Sequence, residues 1–293
     1  MTASHDHDVF SAAWLSLREG LDARSRSHRL TGLAADWLSE RDAPHGIVDL
    51  GSGSGSNQRF LAARLPGPQR WRLVDHDAEL LAHARRRGAL LRDGAGQALT
   101  LETACRSLFP VDRELLADVD LVVASALIDL MPKHWLALLV GACASCGQAL
   151  LITLSVDGDW AFLDRRGERV EDGEDIAVRT LFQAHQLRDK GLGPALGGEA
   201  PAVMASQLTA AGFRVESAAT PWHLAPGDAS QRSLAEALIT GWHDAALEEA
   251  PTQALRLGDW RDRRLADIQA GELGLTVGHR DLFAWPASPA GRA

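Results

Sequence analysis

Three glycines at alternate positions, Gly51, Gly53 and Gly55, follow the apolar run Ile47-Val-Asp-Leu50 and precede Asn57-Gln-Arg-Phe-Leu-Ala-Ala-Arg-Leu65. The last segment carries apolar residues at helical spacing, so the order is strand, glycine turn, helix. Glycine removes Cβ atoms where a backbone must bend sharply and lets a ligand come close, and the helix behind offers unpaired N–H groups and a positive dipole end. Such a turn cradles a polar or anionic cofactor, although a glycine-rich loop also serves simply to join a strand to a helix. Asp75 follows Gly55 by 20 residues, at the end of Trp71-Arg-Leu-Val-Asp75. A right-handed strand-helix-strand unit brings that carboxylate to the carboxyl end of the neighbouring strand, beside the turn, where it can accept two hydrogen bonds from ribose hydroxyls. Helix capping, its other use, suits Asp77 better, ahead of Ala78-Glu-Leu-Leu.

Two residues could handle a proton. His185, with an ordinary pKa of about 6.5, suits proton removal at neutral pH, though a lone histidine is more often structural. Asp129 ends the buried-strand pattern Asp118-Val-Asp-Leu-Val-Val-Ala-Ser-Ala-Leu-Ile-Asp129 and serves equally as a substrate contact or as a cap for the helix from Pro132 to Ala144. Arg188 and Lys190 lie beside the glycine-rich loop from Asp189 to Gly198 and suit a carboxylate- or phosphate-bearing substrate, the alternative being a solvated helix end. Lysine occurs only at Lys133 and Lys190, so its use there hints at a specific contact. Arg24-Ser-Arg-Ser-His-Arg29 is a local basic cluster, either a solvated helix start or a contact for an acidic group.

These residues need a sheet to position them. Helical spacing predicts helices over Val9 to Leu21 and Leu30 to Leu38, then strands at 47–50, 71–75, 99–103, 120–124 and 148–156. The carboxyl ends of strands one, two, four and five converge on one rim, as an open parallel sheet requires of its ligand site. Beyond it come a polar stretch with a small hairpin, a helix over about Asp175 to Lys190, a helix over 200–211 and strand six over 212–220. Two helices, 230–249 and 252–270, precede strand seven at Thr276 to Trp285. Trp222, Trp242 and Trp260 are expected to pack in a core, or to line a pocket or a dimer face.

The stretch Asp49-Leu-Gly-Ser-Gly-Ser-Gly55 resembles the first motif of the class I S-adenosylmethionine-dependent methyltransferases, acid-x-Gly-x-Gly-x-Gly. The dinucleotide pattern Gly-x-Gly-x-x-Gly fits less well, because it meets Ser56 or Gln58 where its last glycine is required. The resemblance covers residues 47 to 156 by ordered motifs and 200 to 285 by topology. It implies a Rossmann-like α/β fold: a seven-stranded, mostly parallel sheet with helices on both faces, the last strand antiparallel, and helical cap insertions. A single domain over 1–293 is expected, with N-terminal helices at 1–43, a cofactor-binding core at 44–156, a cap insertion at 157–199, and the rest of the sheet at 200–285 around a helical insertion at 221–274. By the same resemblance S-adenosyl-L-methionine is the cofactor. Asp49 orders its amino group through water; Gly51, Ser52, Gly53, Gly55 and Asn57 meet its methionine arm; Asp75 holds the ribose; His76 and Asp77 flank the adenine. Ala124 and Ser125, with Ala126, lie beneath the methionine arm. The family's acidic residue after strand three is absent, Ala104 or Cys105 standing there, so backbone groups at 104–106 are expected to replace it. An amino-terminal helix often covers the cofactor in this family, which gives the arginine cluster a possible partner.

The implied reaction is in-line methyl transfer to a small-molecule acceptor, with His185 or Asp129 as base. A non-catalytic S-adenosylmethionine-binding protein and an NAD-dependent oxidoreductase are the alternatives, the latter without a Tyr-x-x-x-Lys pair because the chain has no tyrosine. A net charge of −9 argues against a nucleic-acid partner. No apolar run reaches the ~20 residues of a membrane helix and the start lacks a basic export flank, so a cytoplasmic protein is expected. Three cysteines without a leader predict free, buried thiols, Cys143 and Cys146 among them as packing residues.

Overall fold

The computed structural model describes residues 12–111 and 114–287; His5, His7, Val9 and Phe10 lie outside them. Helices α1 (Ala12–Ser25) and α2 (His28–Ser39) lead into β1 (His45–Leu50), α3 (Ser56–Leu61), β2 (Gln69–Asp75), α4 (Ala78–Gly88) and β3 (Thr100–Cys105). Next come β4 (Leu121–Ser125), α5 (Lys133–Cys146), β5 (Ala149–Leu163), β6 (Arg169–Val170), α6 (Gly173–Gln186) and α7 (Ala200–Ala210). The chain closes with β7 (Phe213–Ala219), β8 (Trp222–Leu224), α8 (Arg232–Glu249), α9 (Ala254–Gln269) and β9 (Gly274–Pro286).

Strands β1 and β4 are buried on both faces, so both faces must be covered. On one side Val48, Leu50, Val122, Ala124, Leu150 and Ile152 pack against α5 and α7 through residues such as Trp135, Leu139 and Met204. On the other, Ile47, Trp71, Leu73, Leu121, Val123 and Leu151 pack against Leu30, Ala34 and Leu38 of α2 and against α3 and α4 through Phe60 and Leu81. The main path of the sheet runs β3-β2-β1-β4-β5-β9-β7. Strands β1 to β5 pair in parallel, and β9 is antiparallel to both β5 and β7. This is the expected Rossmann-like α/β fold with an antiparallel last strand; β6 and β8 add two short strands, making nine.

Strand β5 continues to Leu163 rather than ending near Val156. The Asp157-Gly-Asp step, a turn signal in sequence, falls where the register with β9 shifts between Val156 and Trp160, so the strand absorbs it as an irregularity. A second shift lies between Ile152 and Ser155, where Leu154 takes φ +54° and its N–H donates to Asp281 Oδ1 at 2.7 Å. Asp281, buried on β9, also accepts from Thr220 Oγ1 at 3.0 Å and from the Ser27 N–H at 2.8 Å. One carboxylate thus ties the α1–α2 junction, the bulged strand and the end of β7 together. Burial raises its pKa above the ordinary carboxylate range, against those hydrogen bonds.

A third core joins α6, α8, α9 and the extension of β5, with Trp160 stacked on Trp242 at 4.0 Å and Trp260 beside them. Asp175, fully buried at the start of α6, accepts from Trp260 Nε1 at 2.8 Å and from Arg264 Nη2 at 2.6 Å. Of the three thiols only Cys143 is buried, which corrects the sequence expectation. Cys105 ends the half-exposed edge strand β3, and Cys146 is the last residue of α5 rather than part of its packed face. Burial pushes the Cys143 thiol far up, away from reactivity. Among the described residues no helix is long and apolar enough to cross a membrane, and no cluster of His, Cys, Asp or Glu could hold a metal ion.

Candidate functional site

The turn after β1 takes positive φ at each glycine, +63° at Gly51, +50° at Gly53 and +81° at Gly55. A Cβ on Gly51 would sit 2.9 Å from Leu127 Cδ1, the movable end of a side chain, so it is the positive φ that disfavours a side chain there. Asp75 at the end of β2 is buried, and its Oδ2 accepts the Gly53 N–H at 2.8 Å while Oδ1 accepts the Asp77 N–H at 3.0 Å. Asp77 in turn caps α4, accepting from the N–H groups of Glu79 and Leu80. Carboxylate and turn therefore face one narrow cavity of about 100 Å³, lined by Gly51, Ser52, Gly53, Asn57, Asp75, His76, Asp77 and Ser125 among others.

Three sequence-chosen residues do not line that cavity. Ala124 belongs to the α5-facing core because side chains alternate along β4, which leaves Ser125 at the rim. Gly55 serves the backbone: it precedes α3 in the left-handed region, and a Cβ there would meet Ala84 Cβ at 3.0 Å. Asp49 is buried behind the turn, where Oδ1 accepts from Asn57 Nδ2 at 3.0 Å and Oδ2 has no hydrogen-bond partner. Burial pushes its pKa up to about 7, against the Asn57 hydrogen bond and the Arg26 charge. Residues 104–106 also lie off the cavity, and the Arg106 N–H donates to the Asp75 carbonyl.

The amino-terminal helices supply what the motifs alone did not. Arg26, from the basic cluster, is buried, donating to Asn57 Oδ1 at 2.5 Å and to Ser125 Oγ at 3.0 Å with its guanidinium over Phe60. It locks two rim residues from below. Arg24 is exposed, and Arg29 pairs with Glu216 at the surface. Arg18 and Asp22, one turn apart on α1 and paired at 2.8 Å, line the cavity; their i, i+4 spacing in the first helix was the signal available. Glu19 of the same helix binds Arg59 of α3 at 2.6 Å and Arg87 of α4 at 3.2 Å, latching α1 over the turn.

At Arg18 and Ala126 this cavity meets a second, larger one of about 410 Å³. Ala126 takes φ +51°, a strained conformation for a residue with a side chain. The larger cavity is walled by Trp14, Trp160, Phe182, Trp222 and Trp242, and it contains Asp129, His185 and Lys190. Asp129 caps no helix: it sits in a 3-10 turn, Ile128–Leu130, while Pro132 precedes α5. Its Oδ1 is buried without a hydrogen-bond partner, and burial pushes its pKa up to about 6. His185 Nε2 lies 3.2 Å from Glu248 of α8. Arg188 lines neither cavity, a correction to its expected role, because Glu248 and Glu249 hold its guanidinium at 2.6 and 2.5 Å. The sequence reading missed His279, which is buried on β9 and lines the larger cavity. In sequence it lies within an alternating strand, with no neighbouring motif to single it out.

No protein-family model matches the chain, and no curated protein matches it in sequence. Among solved structures it is similar to a cyclopropane-fatty-acyl-phospholipid synthase-like protein from Lactobacillus casei, with 16% identity, 93% of this chain and 94% of that one covered, and a TM-score of 0.49. It is similar also to the cyclopropane synthase MmaA2 from Mycobacterium tuberculosis, with 12% identity over 97% of this chain and 90% of that one and a TM-score of 0.42. A third is phosphoethanolamine N-methyltransferase 2 of Haemonchus contortus, in complex with phosphomonomethylethanolamine and S-adenosylhomocysteine, with 13% identity, 96% of this chain and 59% of that one covered, and a TM-score of 0.42. The fold rests on the strand order and register described above rather than on these likenesses.

Proposed function

We propose that the chain is an S-adenosylmethionine-dependent methyltransferase acting on a small-molecule acceptor. The observation that carries this reading is the 2.8 Å hydrogen bond from the Gly53 N–H to Asp75, on the wall of a cavity that meets a second one at Arg18 and Ala126. A glycine turn and a carboxylate at the ends of adjacent parallel strands suit a nucleoside-bearing cofactor. The residues present fit it: Gly51 holds a positive φ that a side chain would strain, and Ser52 Oγ is buried without a hydrogen-bond partner.

In this reading Asp75 accepts from the ribose hydroxyls, and Gly51 to Gly53 bring backbone against the methionine arm. Arg26 fixes Asn57 and Ser125 beside it. The cofactor supplies an electrophilic methyl group on sulfonium sulfur. The protein's own work is alignment, and removal of a proton where the acceptor carries one. Asp129, with a pKa of about 6, and His185 both line the acceptor cavity within which such a proton would be taken. A carboxyl raised toward neutrality by burial is the better matched of the two by environment, since His185 is already engaged by Glu248.

Calorimetric titration with S-adenosylmethionine, S-adenosylhomocysteine and NAD tests the reading. Binding of the first two and not of NAD supports it; NAD binding alone, or no binding by either sulfur nucleoside, overturns it.

A further inference from the structure

The larger cavity contains acidic, basic and imidazole side chains, yet the surrounding fold answers most of their charges. Arg18 is paired with Asp22, Asp159 is gripped by both terminal nitrogens of Arg169 at 2.6 and 2.7 Å, and His185 faces Glu248. Lys190 is not without a partner. An anionic ligand would bring a further negative charge beside Asp129, whose Oδ1 has no hydrogen-bond partner among the described residues. The aromatic walls do not form a cage for a cation either. Trp160 and Trp242 cover each other's faces with rings 7° from parallel, Arg179 lies over Trp160, and Arg18 lies over Trp222.

Several neutral polar groups line this cavity: Trp160 Nε1, Trp222 Nε1 and Gln186 Oε1 are buried without hydrogen-bond partners among the described residues, and His279 adds a ring acceptor. Nδ1 of His279 is 2.9 Å from the Val277 carbonyl oxygen. A carbonyl only accepts, so Nδ1 carries the hydrogen and Nε2 is left as a lone-pair acceptor. The His279 ring makes no other hydrogen bond among the described residues. Burial and the nearby Arg18 charge hold the histidine's pKa down at about 3, so the ring stays uncharged across the physiological range.

We propose that the larger cavity takes an uncharged, largely apolar ligand whose O–H or N–H group donates a hydrogen bond to Nε2 of His279. In the methyltransferase reading, on which the word acceptor rests, this ligand is the methyl acceptor, and it is neither anionic nor cationic when bound. A site that pairs a ligand's donor with a ring acceptor discriminates against a ligand that lacks the donor, and burying an unpaired ionic group is costlier still.

The test is calorimetric titration of the full chain, with and without saturating S-adenosylhomocysteine, using 2-naphthol, 2-methoxynaphthalene, 2-naphthoate and 2-naphthylmethylammonium as probes. The expected result is that 2-naphthol binds at least about tenfold more tightly than each of the other three. Equal or tighter binding of the methyl ether, the carboxylate or the ammonium overturns the proposal, as does failure of every probe to bind at millimolar concentration. His279→Leu is expected to bring naphthol and its ether within about twofold of each other, and His279→Gln, which keeps an acceptor oxygen, to restore the preference. A folded His279→Leu protein that keeps the full preference overturns the assignment to this ring. If His279→Leu does not fold, the wild-type panel and His279→Gln still decide. Loss of S-adenosylhomocysteine binding would sink the cofactor reading alone, because the panel without it judges the cavity independently.

Discussion

The two cavities meeting at Arg18 and Ala126 are built in opposite ways. The narrower is lined mainly by backbone and short polar side chains from two local stretches, 51–57 and 75–77, joined by a single strand-helix-strand unit. The wider is lined by large aromatic residues gathered from α1, β5, α6, β8 and α8, segments more than two hundred residues apart in the chain. Local backbone geometry therefore defines one cavity and long-range packing the other. A substitution in one wall should be felt mainly in its own cavity.

The sharpest way to break that separation is a crossed pair of variants. Asp75→Ala removes the acceptor of the Gly53 and Asp77 N–H groups and, in the proposed reading, of the ribose hydroxyls, and should weaken S-adenosylhomocysteine by at least about 100-fold. Trp242→Leu should lower stability by about 2–4 kcal/mol through the space left beside Trp160, yet change that affinity by less than about threefold in the folded protein. Calorimetry on both variants gives the comparison. Equal losses of affinity would mean that the two cavities behave as one.

The helical additions depend on a buried charge of their own. Asp175→Ala would leave the Trp260 N–H and the half-buried Arg264 guanidinium without their central acceptor, at a cost of about 3–5 kcal/mol. Denaturant unfolding measures it. A loss under 1 kcal/mol would show that α6 and α9 are held by their apolar core alone.

What the sequence disclosed follows the same division. The glycine turn, Asp75 and the Asp77 cap each rest on residues close in the chain, and their backbone requirements are stated by residue type. Strands β1, β2, β4 and β9 were legible from apolar runs of strand length. Strand β5 was cut short because Asp157-Gly-Asp reads as a turn when the partner β9 is not known to accept a bulge there. Arg188 was misplaced because nothing local reveals Glu248 and Glu249 across from it. His279 and Asp281 were missed because a polar residue in an alternating strand normally faces water, whereas both are buried under α1 and its neighbours. Ala124 and Gly55 were assigned to the ligand on a motif's authority although their side-chain positions serve packing.

A subtler difference between the regions lies in pH. Asp49 has a folded pKa of about 7 against an ordinary 3.8, so the native state holds a proton that the unfolded chain has released over that interval. Its contribution is complete below about pH 4, declines as pH rises to about 7, and is constant above. Asp49→Asn keeps an oxygen for the Asn57 bond and removes this slope. Between pH 4 and 7 the wild type should therefore lose on the order of 2–4 kcal/mol relative to the variant. Unfolding both proteins across that range cancels the slopes that Asp129, Asp281 and His279 add to each. Parallel curves would show that Asp49 is ionised throughout, held so by Arg26.

The smallest expected effect separates the two proton-handling candidates within the wider cavity. The His185–Glu248 pair is partly exposed, with side-chain exposures of 21% and 45%, so His185→Ala should change stability by less than about 1 kcal/mol. The folded variant can then be assayed directly once an acceptor is known. If Asp129 removes the proton, turnover in His185→Ala stays within about threefold of wild type, while Asp129→Asn loses at least about 100-fold and with it the pH dependence near 6. Loss of turnover in the histidine variant with retention in the asparagine variant would reverse the assignment. It would place the chemistry at the outer end of the cavity, against α8, rather than beside the turn that follows β4.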